Sequence, residues 1–199
     1  YSNKTQARLN ISLNSLDEYI ADLSRAIATP DPRYEEIGVR VNGEYRQLSA
    51  NQLQIENEYY SPIRPKRVAN SGERPTAALK RGGIEYVEVR SLDLNVFDPV
   101  GISQNVMRFV EAFLVYCLLE ESPLLDDRDW DELGANHKLT AKRGRDPELR
   151  LARGGEEIPL RDWAAGIVPG VAAVAELLDA GLDRPEYGPA ITVHAAMLS

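Results

Sequence analysis

Cysteine is nearly absent. Cys117 is the only one in 199 residues, so no internal disulfide is available and a reducing cytoplasm is the natural setting. Histidine is almost as scarce. His137 and His194 have no neighbours at zinc-ligand spacing, and no Ser/His/Asp triad can be assembled around them. No apolar run is long enough to cross a bilayer, and no signal peptide is visible. Walker A and GxGxxG phosphate loops are missing. No internal repeat and no low-complexity segment is found. Positive charge is also in short supply: 23 Lys and Arg face 31 Asp and Glu, for a net charge of −8. That balance argues against a nucleic-acid surface, which needs clustered cations to neutralise phosphates. It leaves room for a local basic pocket that holds a small anion.

What remains is the composition of a globular protein, 43% hydrophobic and 27% charged, enough for one sizeable core or two small ones. The chain begins at Tyr1 without Met and ends in ITVHAAML, an apolar helix still in progress before Ser199. The expectation is a natural protein longer than this chain.

Residues 9–13 are apolar at every second position and predict a strand. Ser15 and Glu18 stand at capping-box spacing, with Asn14 as the alternative cap, ahead of a helix through Leu16, Tyr19, Ile20, Leu23 and Ile27 that Pro30 and Pro32 close. Asn42-Gly43 predicts a two-residue hairpin between 37–41 and 44–48. Strands are expected over 53–60 and 84–90, with a short helix over 76–81. Ser103 is a candidate cap for a long helix whose stripe is Val106, Phe109, Val110, Phe113, Leu114, Cys117 and Leu118. On that stripe Cys117 reads as a core thiol rather than a nucleophile. After Pro123 the character changes. Residues 126–132 are acidic and 138–153 basic; the basic stretch, with Gly144 and Pro147, is not one helix. Residues 161–181 and 185–199 read as two helices, the first interrupted by Pro169-Gly170. The fold class is α+β, with antiparallel strands in the first half and helices in the second. Composition places a domain boundary near Pro123, giving 1–123 and 124–199.

Two segments carry chemistry. In RGGIEYVEVRSLD, residues 81–93, alternation places Glu88 and Arg90 on one face, roughly 6.5–7 Å apart along the strand. An exposed ion pair would show the same pattern. The functional alternative is a metal-binding carboxylate beside a phosphate-binding guanidinium. In LQIENEYYSPIRPKR, residues 53–67, Gln54, Glu56, Glu58 and Tyr60 share a strand face that could line a polar cavity or face solvent. Arg64, Lys66 and Arg67 follow as a basic cluster that could meet nucleotide phosphates.

These two segments, with SGERPTAALKRGGIEYVEVRSLD and the later FDPVGIS, resemble the centre of the proteobacterial glutamate–cysteine ligases. The opening YSNKTQARLNISLNSLDEYIADL resembles the segment before it. The likeness runs nearly without gaps from Tyr1 to about Pro123 and continues more thinly through Asn136 and GRDPELRL. It implies a fold related to glutamine synthetase, with an antiparallel sheet forming a funnel. It implies ATP-dependent joining of the γ-carboxylate of L-glutamate to the amine of L-cysteine, with Mg²⁺ as the metal and Mn²⁺ as the alternative; the oligomeric state is left open, with a monomer favoured. Residue by residue, Glu88 resembles a metal ligand, Arg90 the arginine at the transferred phosphoryl group, and Tyr1 and Tyr60 the tyrosines beside the cysteine acceptor. The family's other acidic ligands, a metal-site histidine and a glutamate-binding arginine lie upstream of the position of Tyr1. The chain alone is therefore expected to be inactive. A non-catalytic folding or interaction fragment, and a related ligase with another amine acceptor, are the alternatives.

Overall fold

The computed structural model describes residues 9–198; Tyr1 lies outside them. The chain divides into two units, Tyr1–Asp93 and Leu94–Ser199. The compositional change after Pro123 falls inside the second, because the helix before it packs with the helices that follow.

In the first unit, α1 (Leu16–Ala28) starts where Ser15 accepts a hydrogen bond from the Glu18 amide at 3.1 Å. The reciprocal half of the capping box is not made, since the Glu18 carboxylate takes the Ser12 hydroxyl instead. Tyr19, Leu23 and Ala26 form its buried face, against Ile11, Leu53 and Leu79. Ile11 reaches this core without a strand. The Ser12 amide bonds the Asp22 carboxylate at 2.9 Å, so a side chain on α1 takes the place of a sheet partner. A short helix α2 (Pro32–Ile37), capped by Asp31, lies where the sequence suggested only a helix stop. The hairpin β1 (Arg40–Val41) and β2 (Glu44–Tyr45) turns at Asn42 and Gly43, with φ of 53° and 89°. Both angles are positive, as a type I′ turn requires.

The strand expected over 53–60 is not formed. These residues make bends and one 3₁₀ turn, Glu56–Glu58. Their alternating polar side chains serve the local backbone rather than one sheet face. Glu58 accepts from the Gln54 amide at 2.7 Å, and Gln54 Oε1 accepts from the Leu48 amide at 2.7 Å. Glu56 is buried and reaches the start of α3 (Pro75–Gly82), which lacks a side-chain cap of its own. Its two oxygens accept the Thr76 amide at 2.8 Å and the Thr76 hydroxyl at 2.7 Å. A carboxylate at a helix N-terminus meets both an orphan N–H and the positive end of the dipole. Strands β3 (Ile63–Lys66) and β4 (Tyr86–Val89) flank α3 in sequence and pair antiparallel.

The second unit is mainly helical. Ser103 caps α4 (Gln104–Leu119), accepting from the Val106 amide at 3.3 Å. Its packed face is Phe109, Ala112, Phe113 and Tyr116, against α6 and α7. That face is turned from the predicted stripe, and Cys117 is exposed. The shift follows Ala112, whose small side chain lets the helices approach. The capping box Asp126/Asp129 opens α5 (Asp127–Arg143). The acidic run is thus the first turn of a helix, where negative charge is favourable. The basic stretch is split as expected: α5 ends at Arg143 and the hairpin β5 (Arg150–Arg153) and β6 (Glu156–Pro159) follows. Gly154-Gly155 makes its turn at positive φ, a signal the sequence reading passed over.

Helix α6 (Leu160–Asp179) runs through Pro169 without interruption. A proline inside a helix costs about 3 kcal/mol, and burial of Val171, Val174 and Ala175 against α4 and α7 (Tyr187–Ala195) offsets it. Gly170 is a packing residue rather than a breaker: a Cβ there would lie 2.3 Å from Tyr116 Cε2. Strands and helices together make the α+β class expected, with the described strands in three two-stranded antiparallel ladders.

Candidate functional site

The β3–β4 ladder sets the register of the charged groups. Arg64 stands directly across from Glu88, and Lys66 from Tyr86. Opposed side chains in an antiparallel pair are about 4.5–5.5 Å apart at Cβ, so the register alone brings Arg64 to Glu88. One residue past β4, the Arg90 amide bonds the Pro62 carbonyl at 2.7 Å and keeps the strand direction. Arg90 therefore returns to the face of Glu88, as alternation predicts.

Arg90 grips Glu88 at both carboxylate oxygens. Nη2 donates to Oε1 at 3.1 Å, and Nε lies 2.9 Å from Oε2. Arg64 Nη1 is 3.9 Å from the same Oε2. Neither contact to Oε2 has hydrogen-bond geometry. Oε2 and Arg64 Nε are thus buried polar atoms without a hydrogen bond. The hydrogen bond from Arg90 holds the Glu88 carboxyl below the usual range, helped by the charges of Arg90, Lys66 and Arg64 against the opposing effect of burial.

The two arginines differ in setting. The Arg64 side chain is 4% exposed and that of Arg90 37%. Behind Arg64 stands Tyr19 of α1, itself 3% exposed. Burial raises the Tyr19 hydroxyl above its ordinary pKa, and the charge of Arg64 and a hydrogen bond with it pull the value back. Tyr19 in turn meets Tyr59 edge to face, ring centroids 6.4 Å apart. Tyr60 is half-buried, in the segment that leads into β3.

The basic cluster Arg64, Lys66 and Arg67 is divided by this fold. Arg64 faces Glu88 from a buried position. Lys66 is half-buried beside Tyr86. Arg67 Nη1 donates to the carbonyls of Gly82 and Gly83, at 2.6 and 3.2 Å, where α3 ends. All three line one side of a cavity of about 360 Å³, which Tyr19 and Thr76 help to enclose. The polar face expected from Gln54, Glu56 and Glu58 does not form, because their side chains are engaged as described above. Tyr19 is the residue of the site for which the sequence offers only a place at helical spacing along α1. Its helical spacing matches any core aromatic, and only the tertiary packing puts its hydroxyl at Arg64.

A divalent cation needs several oxygens. Among the described residues no group of three or more His, Cys, Asp or Glu could hold one. Among the described residues of this site Glu88 offers a single carboxylate, whose Oε2 is buried without a hydrogen bond beside the Arg90 and Arg64 guanidiniums.

The family model for glutamate–cysteine ligase matches residues 1–140. Among curated proteins, the glutamate–cysteine ligase of Shewanella amazonensis is 47% identical over 191 residues, covering 96% of this chain and 36% of that protein. The Shewanella oneidensis enzyme is 50% identical over 179 residues, covering 90% and 34%. That of Janthinobacterium sp. is 46% identical over 198 residues, covering 100% and 38%. Among solved structures, the glutamate–cysteine ligase of Francisella tularensis in complex with AMP superposes with a TM-score of 0.89 at 36% identity. It is covered over 39% of its chain, and this chain over 99%. The chain thus spans little more than a third of the length of the relatives it matches.

Proposed function

The chain belongs to the glutamate–cysteine ligase family, and on that premise we propose that it forms part of an ATP-dependent ligase catalysing the first step of glutathione biosynthesis. The reaction joins the γ-carboxylate of L-glutamate to the amine of L-cysteine. A carboxylate is a poor electrophile, and ATP overcomes this by converting it to γ-glutamyl phosphate. The cysteine amine attacks the acyl carbon, and phosphate leaves. Such a reaction needs positioning and charge neutralisation more than a protein nucleophile.

The observation that carries the reading is the Glu88–Arg90 ion pair at the end of β4, in which Arg90 donates to Oε1 and lies 2.9 Å from Oε2. Arg90 would turn its planar fork to the oxygens of the transferring phosphoryl group. Glu88 would give one oxygen to a Mg²⁺ or Mn²⁺ whose other ligands come from outside the described residues. Such an ion neutralises phosphate charge when bound. Lys66, with Arg67 behind it, would face nucleotide phosphates, in keeping with the AMP in the Francisella structure. Tyr60, in the segment that leads into β3, and Tyr1 would wall the cysteine site. A cytoplasmic monomer remains part of the proposal. No helix among the described residues is long and apolar enough to cross a membrane.

The test is ADP release by a full-length ligase carrying these residues. Release that needs glutamate and cysteine together supports the reading. Release with a different amine in place of cysteine would replace the acceptor, and no glutamate-dependent release would end it.

A further inference from the structure

Arg64 is the least expected charge in the first unit. It is 4% exposed, yet its contact with Glu88 is 3.9 Å long and its Nε has no hydrogen bond. Removing a guanidinium from water is costly unless its donors are matched. A folding role alone would be served as well by an aliphatic side chain. What the position provides is a fixed cation across the ladder from Glu88, near the same Oε2 that Arg90 Nε faces. In the structure Arg90 hydrogen-bonds Oε1 of Glu88 and lies 2.9 Å from Oε2. If Arg90 turns this Nε/Nη2 fork to a phosphoryl group, it gives up these contacts and Glu88 loses its clamp. Arg64 cannot follow Arg90, because the ladder fixes its backbone and its side chain is buried beside Tyr19.

We infer that Arg64 is a positioning residue, buried across the β3–β4 ladder from Glu88, which keeps that carboxylate in place when Arg90 turns to the phosphoryl group. Tyr19 of α1 acts one step further back, by fixing the Arg64 guanidinium. The inference rests on the ligase reading for what Arg90 does. It differs from a direct contact of Arg64 with nucleotide phosphate, which the cavity beside it would also allow.

The two are separated in a full-length ligase of the family carrying Arg64→Met, Arg64→Lys or Tyr19→Phe. Three quantities are read: Mn²⁺ affinity by electron paramagnetic resonance, ADP affinity by calorimetry in the absence of metal, and the split between kcat and the KM for ATP. Groups that orient a metal ligand are typically worth about 10- to 100-fold in metal affinity or activity. Arg64→Met is expected to lose Mn²⁺ affinity and kcat in that range, with ADP affinity within about twofold, a change of only ~0.4 kcal/mol. Tyr19→Phe keeps the buried ring and should show the same pattern to a smaller extent. Arg64→Lys should fall between them, keeping the charge and losing reach. A loss of ADP affinity as large as the loss of Mn²⁺ affinity would make Arg64 a phosphate ligand and overturn the inference. So would unchanged values in all three variants. If Arg64→Met fails a thermal melt, Arg64→Lys and Tyr19→Phe decide alone. A ligase that shows no glutamate-dependent ADP release would remove the proposed reaction, while the two affinities would still report what Arg64 holds.

Discussion

In the first unit Asp31, Glu56, Ser61, Arg64 and Thr76 are buried, whereas every buried residue described in the second is aliphatic or alanine. The second unit makes its polar contacts at the rim. Examples are the Asp126/Asp129 capping box, Glu132 on the amides of Gly154 and Gly155, and Asp179 on the amides that open α7. Its core is a packing problem, solved by small residues such as Ala112 and Gly170. The first unit instead accepts the cost of buried polar groups, which is tolerated only where each is matched or used. Glu56 is matched by Thr76. Arg64 is the incompletely matched one, and it lies beside Glu88. The contrast agrees with the proposed reading, in which the first unit carries chemistry and the second is scaffolding.

The contrast breaks most sharply if the two units suffice for turnover. Residues 1–199 alone are expected to give no ADP release with glutamate, cysteine, ATP and Mg²⁺, since the described residues offer one carboxylate to a cation. Coupled-assay rates near those of a full-length relative would show that the first unit holds a whole site. Next in size is Arg90→Lys in the full-length enzyme. If Arg90 acts on the phosphoryl group, kcat falls by about 10²–10³. If the pair with Glu88 is only an exposed ion pair, worth about 0–1 kcal/mol, then kcat stays near the parent value in a variant that melts normally.

Smaller effects on stability probe the two kinds of interior. Glu56→Ala leaves the buried Thr76 amide and hydroxyl without acceptors, and should cost about 1–3 kcal/mol in urea unfolding of the first unit. A neutral outcome would mean that water replaces the carboxylate and the interior is less dry than its burial indicates. In the second unit, Gly170→Ala gains about 1 kcal/mol of helix propensity but forces the Tyr116 ring away. A net loss of up to about 2 kcal/mol is expected, within the range of overpacking; a net gain would show that α4 and α6 have slack. The least effect belongs to the rim. The Asp179 carboxyl opposes burial by accepting from the amides of Tyr187, Glu186 and Gly188, and is held below its usual pKa. A depressed carboxyl stabilises the fold above its unfolded pKa of about 3.9 and loses that contribution as pH falls through the folded value. Thermal melts should therefore show an acid-side loss below about pH 4 that Asp179→Asn reduces; an identical acid profile in the variant would take Asp179 out of the transition.

Features written within a few residues were legible. Ser15 and Ser103 cap the helices their spacing announces, and Asn42-Gly43 makes its hairpin. Glu88 and Arg90 share a face because a strand repeats every second residue. Arg64 and Glu88 meet only through the register of two strands separated by α3, and nothing in either segment states that register. Tyr19 joins them from a third element. Residues 53–60 alternate as a strand does, yet that alternation serves side-chain bonds to Gln54, Leu48 and Thr76 that only the tertiary fold creates. Pro169-Gly170 and Cys117 misled for a related reason. Propensity and helical phase describe a helix by itself, whereas the packing of α4 against α6 decides both positions.

The carboxylate that closes the start of α3 comes from twenty residues earlier in the chain. That helix has no autonomous beginning, so its first turn and the 3₁₀ turn at Glu56 must open and close together. In hydrogen exchange the Thr76 amide then becomes a sentinel for the whole assembly. Its proton is released only when the turn leaves the helix, and its protection should match that of the α1 core amides rather than the lower protection of a fraying helix end.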